Sequence, residues 1–575
     1  MDTPSRPLHW ELGVLLVVVL GALALFAGKA FTVDDPLFLW LGRHIQTDPG
    51  DFFGFLVNWS YTPRPMYAIT RNPPLTGYYV ALAAAVVGWS EYALHTAFLV
   101  PAGAAALGTY GLARRLCSKP LAAALIGLLT PVFLVSSTNI MCDTMLVAFW
   151  CGSLWCWIRG FDLAERHEGD RSHHGWLLAG ATLAALASLT KYFGVALIPL
   201  LLAYGFARQR RPGPWLFSLL VPLAILVGYE LATASLYGTG MLRGAASYAI
   251  GPASLRASPA DRLVVGLVFA GGCLIPALFF APLLWSRQVR AGTGAIVCLL
   301  VAHVGLNGRL YTVPFLYLKD WPPAIGVQLF LMALAGASLL ALAAAELRQQ
   351  RTPESWLLAL WVLGTFVFAS AVNWTNNGRS NLPMAPALGI LIMRRLDLLA
   401  RSRAEPVRWQ WLAAPGVVVA LLVAWGDFHW ANQIRDTARH LSGRYVDEGH
   451  QTYVLGHWGL QFYMEEMGAR TIDYRRDRII PGDVLVEPGF SSYKRSPEPD
   501  LVTLLQEHRH PDPIWVHTMS PKVGAGFYAS NVAPLPYAFG AAEPDVYWVW
   551  EAKKDFAFPR KARRSPIEPQ SGAGF

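Results

Sequence analysis

Two adjacent carboxylates, Asp34 and Asp35, follow the first long apolar run of the sequence, in Phe31-Thr-Val-Asp34-Asp35-Pro36. Side by side they disfavour each other's ionisation, and the partner with the raised pKa would suit a general base. Aspartate before proline is equally an ordinary way to start a helix, and a solvated cap accounts for the pair without chemistry. A third carboxylate, Asp143, stands in Asn139-Ile-Met-Cys-Asp143-Thr-Met-Leu, at the start of an apolar run. An ionisable group at the edge of hydrocarbon costs up to about 3 kcal/mol, which marks a functional candidate; helix N-capping is the bland alternative. A set of cations lies in polar segments on the same predicted side: Arg64, Arg71, Lys191, Arg243, Arg309, Lys319 and Arg379. A phosphate leaving group needs such partners. Most of these are surface charges; Lys191 and Arg379 stand out because each abuts the start of an apolar run. Glu230 and His303 lie inside apolar runs, where they could form a polar pocket, bind a metal, or be hydrogen-bonded groups at a helix interface.

Several chemistries have no sequence support. There is no phosphate-binding loop ending in Lys-Ser/Thr, no Gly-x-Ser-x-Gly elbow and no His-Glu-x-x-His. The six cysteines all lie in or beside apolar runs, none after Cys298, which argues against a disulfide framework or a paired metal site. Two Asn-Trp-Ser/Thr sequons, at Asn58 and Asn373, carry no weight, since such matches arise by chance.

The elements that must position these residues follow from composition. Of 575 residues 54% are hydrophobic and only 15% charged, against about 25% charge in a soluble domain. Apolar runs long enough to span a bilayer recur until about residue 428, at 12–30, 93–113, 119–137, 143–158, 175–189, 191–207, 214–237, 263–285, 293–307, 325–346, 356–373, 381–393 and 411–428. The first is long for a signal peptide, and Lys29 disfavours cleavage after Ala30, so it is read as an uncleaved span. A further run, Pro73 to Trp89, decides the topology. If it does not cross, the turns carrying Arg114, Arg115 and Lys119, then Arg159, Arg166 and Arg171, then Arg208, Arg210 and Arg211, Arg287 and Arg290, Arg348 and Arg351, and Arg394 to Arg408 all fall on the N-terminal side. That satisfies the positive-inside rule, so the run is placed as an interfacial or re-entrant helix. The net charge of +9 is accounted for by these turns, and nucleic acid is not called for.

The expected fold is an all-α polytopic membrane bundle of about 13 transmembrane helices, residues 1–428, with interfacial helices in a first outer loop at 31–92. Asp34 and Asp143 then emerge on the same face. Residues 429–552 mix polar positions with β-like runs at Thr452–Leu455, Val484–Val486, Ile514–His517 and Tyr547–Trp550, and are read as an extracytoplasmic α/β domain. Residues 553–575 have the composition of a disordered tail. No repeat of fixed period is visible.

Taken in order, these features resemble the C-type (GT-C) polytopic membrane glycosyltransferases, within them the protein O-mannosyltransferase and lipid A aminoarabinose transferase branch. The resemblance rests on Asp34-Asp35 after the first span, Pro73-Pro74-Leu75-Thr76-Gly77-Tyr78-Tyr79 in the first outer loop, Asp143, Thr190-Lys191-Tyr192, and Arg379-Ser-Asn-Leu-Pro383-Met-Ala-Pro386. The chain departs from the family in having Asp35 where Glu is usual and Asn72 where Lys often precedes the proline pair, with Arg71 one place earlier. The resemblance implies an inverting transfer that is metal-independent or weakly metal-dependent and requires no cofactor. It implies a polyprenyl-phosphate sugar donor and a lipid, glycan or protein acceptor, at the outer face of a bacterial inner membrane with the N-terminus cytoplasmic. Asp34 would be the base, with Asp35 beside it, Asp143 would orient it or the acceptor, and Arg71, Lys191 and Arg379 would hold the donor phosphate. The rival readings are a lipid-linked sugar flippase, and an assembly or sensor protein whose outer domain binds glycan.

Overall fold

The computed structural model describes residues 8–166, 172–249, 258–307, 322–400 and 408–559. Arg171, Arg309, Lys319 and most of the expected tail lie outside them. Each of the thirteen apolar runs is helical, but by length and composition seven helices are apolar enough to cross a membrane, or nine if two bent pairs each count as one span. The bends have a common cause. Pro120–Leu128 and Pro131–Ser137 meet at 67°, and Pro259–Cys273 and Pro276–Leu284 at 92°. In each pair the second segment opens on a proline, which cannot donate to the preceding turn. The four expected spans outside this count are Leu8–Ala24, Asp143–Arg166, Ser172–Thr190 and Met384–Ala400. Three are short or charge-bearing, and Ser172–Thr190 carries two histidines in its first turn. Asp143–Arg166, for example, packs between Ser172–Thr190 and Glu91–Leu116, and so needs less apolar surface of its own.

Small residues set the closest crossings. A Cβ on Gly389 would stand 1.9 Å from the Ala123 carbonyl oxygen, and one on Gly336 2.1 Å from that of Leu267. These backbones approach as small-residue interfaces allow in membranes. At one end of the bundle several cationic turns meet acidic partners. Arg115 binds Asp162 at 2.6 Å, Arg208 binds Glu354 at 3.0 Å, and Arg394 binds Glu346 at 2.6 Å. The Pro73–Trp89 run forms a 13-residue helix, Leu75–Val87, lying on the helix Asp35–Thr47.

After residue 428 the helix Trp409–Tyr445 runs on without a break. At 37 residues it is about 55 Å long, well beyond a bilayer core, so the expected boundary at 428 is not a structural one. A five-stranded mixed sheet follows, in the order Arg470–Thr471, Thr452–Val454, Val484–Pro488, Val546–Ala552, Val502–Arg509. The first three strands are parallel and the last two pairings antiparallel.

Two buried polar devices tie these parts together. Lys29 and Asp427, both fully buried, form an ion pair. Asn139 Oδ1 also accepts from Lys29, Thr518 donates to Asp427 at 2.6 Å, and the Tyr528 hydroxyl donates to Asp427 at 2.9 Å. The second device is Asp35. Its carboxylate accepts the Thr32 N–H at 2.9 Å and the Ile140 N–H at 2.8 Å, joining the turn after the first helix to the 138–142 loop. Burial pushes its pKa up to about 7, against the pull of Lys29 and the two backbone donors; the neighbouring Asp34 adds the smallest push. The general base expected from mutual repulsion of the pair is thus, at this residue, a buried brace raised by desolvation.

Two outcomes follow. Lys29→Met leaves the Asp427 charge buried without its partner and should cost about 3–5 kcal/mol of stability, most of it recovered in Lys29→Met/Asp427→Asn. Thermal unfolding in detergent reads this, and equal stabilities of the single and double variants would refute it. For Asp35 the native state keeps a proton that the unfolded chain releases between pH about 4 and about 7, so stability falls as pH rises through that window. Asp35→Asn removes this titration, and unfolding temperature against pH should then lose that part of its slope.

Candidate functional site

A cavity of about 610 Å³ opens where the segment after the first helix meets the starts of later helices and the C-terminal segment. Asp34, Arg64, Arg71, Lys191 and Arg379 all line it, although they are far apart in sequence. The turn before the Asp35–Thr47 helix sends the acidic pair in two directions. Val33 has φ 49°, a conformation that a β-branched residue adopts at a cost of roughly 1–3 kcal/mol. Beyond it Asp34 faces the cavity, while Asp35 turns inward onto the backbone of Ile140.

Asp34 Oδ2 accepts from Arg379 Nη2 at 2.9 Å. Arg379 enters from a short helix, Gly378–Asn381, whose start is fixed by Asn377 accepting the Ser380 N–H at 2.8 Å. The guanidinium also lies 5.5 Å from the Tyr528 ring. Burial pulls its pKa down, but Asp34 and Asp143 outweigh that and hold it above the ordinary arginine value. Asp143 is buried and accepts from Lys191 Nζ at 2.5 Å through Oδ1; its Oδ2 has no hydrogen-bond partner among the described residues. Two carboxylates and two cations thus alternate, with Asp34, Lys191 and Arg379 reaching the cavity and Asp143 behind them. Arg71 stacks on Tyr248 at 4.7 Å; burial, and then the nearby Arg64, pull its guanidinium below the ordinary value. It stays charged all the same.

One flank of the cavity is apolar, built from Phe193, Val195, Phe368 and Val372. Its polar flank takes residues from the C-terminal segment, Tyr493 and Tyr528. This arrangement can bind an anionic group beside a carboxylate, with an apolar chain leading away.

The expected pocket of Glu230 and His303 does not form. Glu230 Oε2 accepts the Leu242 N–H at 2.8 Å, so its carboxylate is used at the start of the helix Met241–Ala249. His303 lies on an exposed part of the helix Arg287–Asn307, and neither residue lines the cavity. Sequence reasoning missed Lys29, Asp427, Tyr493 and Tyr528. Asp427 had a signal: a carboxylate inside an apolar run is a functional or structural marker by default. The two tyrosines had none.

Residues 71–230 match the family described as dolichyl-phosphate-mannose-protein mannosyltransferase. No curated protein matches the chain. Among solved structures, ArnT from Cupriavidus metallidurans bound to undecaprenyl phosphate is 16% identical, over 84% of this chain and 94% of that one, with a TM-score of 0.44. The Archaeoglobus fulgidus oligosaccharyltransferase tethered with an acceptor peptide is 14% identical, over 81% and 64%, at 0.47. The arabinofuranosyltransferase AftD from Mycobacteria is 14% identical, over 96% and 40%, at 0.40. The chain is an integral membrane protein with several membrane-length apolar helices, and its resemblance to the GT-C polytopic glycosyltransferases is borne out.

Proposed function

We propose that this protein transfers a sugar from a polyprenyl-phosphate donor to an acceptor at the outer face of a bacterial inner membrane. The membrane module would run from the N-terminal helix into the helix Trp409–Tyr445, and the extracytoplasmic part from there to about residue 552. One observation carries the reading: Asp34 faces a cavity of about 610 Å³ together with Arg71, Lys191 and Arg379. The donor class named in the matching family's description, a dolichyl-phosphate sugar, agrees with it.

In the reaction the acceptor hydroxyl or amine gives its proton to the Asp34 carboxylate. Its lone pair forms the new bond to the anomeric carbon as the bond from that carbon to the phosphate oxygen breaks. The attack comes from the face opposite the phosphate, so the configuration inverts. Polyprenyl phosphate leaves with the electron pair, and Arg379, Lys191 and Arg71 neutralise it. The apolar flank at Phe193 and Phe368 suits the isoprenoid chain. Asp34 is held by Arg379 before the donor arrives. A phosphate drawing on the same guanidinium loosens that hold and leaves the carboxylate free to take a proton. Asp143 holds Lys191 in place from behind.

Asp34→Asn should lower transfer of radiolabelled sugar in proteoliposomes by roughly 10²- to 10⁴-fold while polyprenyl-phosphate binding persists. Near-normal transfer by the variant would remove Asp34 from the mechanism. Label that crosses the bilayer still attached to its carrier, with no product, would replace the transferase reading with a flippase.

A further inference from the structure

The first outer loop and the C-terminal segment meet at the cavity in a group of aromatic rings that the transfer step does not use. Trp59 comes from the loop and Tyr493 from the C-terminal segment, and Tyr248 and Trp374 join them on the lining. His457 lies beside two of the rings, its centroid 5.7 Å from Trp59 and 6.2 Å from Tyr493. Both its nitrogens are engaged, Nδ1 with Gln461 Oε1 at 2.8 Å and Nε2 with the Ser60 carbonyl at 3.0 Å. The imidazole therefore braces the rings and has no valence left for a ligand.

Tyr493 is held edge-on to Tyr61, at 5.3 Å and 84°, and the Arg495 guanidinium covers Tyr61 at 4.4 Å. Its backbone is unusual. With φ 51°, Tyr493 occupies the left-handed region that favours glycine or asparagine. The ring is only half-buried, so core packing does not require it. The fold thus accepts backbone strain and presents a large planar ring on the cavity wall. Ser60 and Arg64 line the same cavity and supply polar groups.

A sugar ring has this pattern in complement: an apolar face of axial C–H groups and a rim of hydroxyls. A peptide would ask instead for paired backbone donors and acceptors along an extended edge. We propose that the acceptor is a glycan, and that the Tyr493 ring on the cavity wall, with Trp59 buried in the packing of the same wall, stacks the sugar unit carrying the attacking hydroxyl. This rests on reading the cavity as a transferase site.

The test uses the full-length protein in nanodiscs and saturation-transfer NMR with methyl glycosides of common hexoses and pentoses, alongside a Ser/Thr-containing peptide. Tyr493→Gly deletes the ring and eases the backbone; Tyr493→Asn serves as a second ring deletion at ease in the same conformation; Tyr493→Phe keeps the ring. Undecaprenyl phosphate binding is measured on every variant. The expected result is transfer to the ring C–H protons of at least one glycoside at about 10 mM. That signal should fall roughly fivefold in the Gly and Asn variants and persist in the Phe variant, with undecaprenyl phosphate binding unchanged. No glycoside signal, an equal signal in the Gly variant, or a signal on the peptide alone would overturn the proposal. Failure of the wild type to bind undecaprenyl phosphate would instead sink the transferase reading itself, so the two failures are distinct.

Discussion

The architecture depends on a charge that has nowhere else to go. Lys29 ends the first helical region fully buried, and an unpaired ammonium in such a place would cost several kcal/mol. Its partner, Asp427, is equally buried in the middle of the longest helix. Neither charge is tolerable without the other, and Asp427 needs further donors for its remaining lone pairs. Thr518 and Tyr528 supply them, from the far end of the chain. One desolvated pair therefore fixes the first helix, the 138–142 loop, the helix Trp409–Tyr445 and the C-terminal segment in a single arrangement.

The cavity inherits its geometry from that arrangement. Tyr528 hydrogen-bonds Asp427 on one side and carries the Arg379 guanidinium over its ring on the other. Arg379 in turn holds Asp34. Asp35 performs the matching service from the other direction, fixing the 138–142 loop immediately before Asp143. Polar groups shielded from water are thus satisfied in series; the first series ends on Asp34 at the cavity, the second on Asp143 just behind it. This is a way to preorganise charge without relying on exposed side chains, which water and salt would weaken.

Much of this was legible in the sequence. Charge asymmetry among short turns predicted which loops gather at each end, and Arg115, Asp162, Arg208 and Glu354 do meet at one of them. Motif order picked out Asp34, Asp143, Lys191 and Arg379, four residues that stand together. The expected 13 spans stand as thirteen helical runs of which seven to nine among the described residues are long and apolar enough to span; Asp143–Arg166, among the others, carries charge and is enclosed by neighbours. Asp35 was misjudged because adjacency suggests shared exposure, whereas the positive φ of Val33 sends the two side chains apart. The contributions of Tyr493 and Tyr528 were invisible, since nothing local distinguishes a tyrosine that reaches across hundreds of residues. Glu230 looked functional for its setting in an apolar run, and proved to be occupied by backbone donors.

The Lys29–Asp427 pair also has a biosynthetic consequence. Its members are 398 positions apart in the chain. At ordinary rates of elongation, about 20–80 s pass between the emergence of one and the other. Throughout that interval Lys29 belongs to a nascent protein that still lacks its buried ion-pair partner, so the first helix cannot take its final place. Its final seating is then a late event of maturation, and the ribosome has made about three quarters of the polypeptide before the first helix can settle.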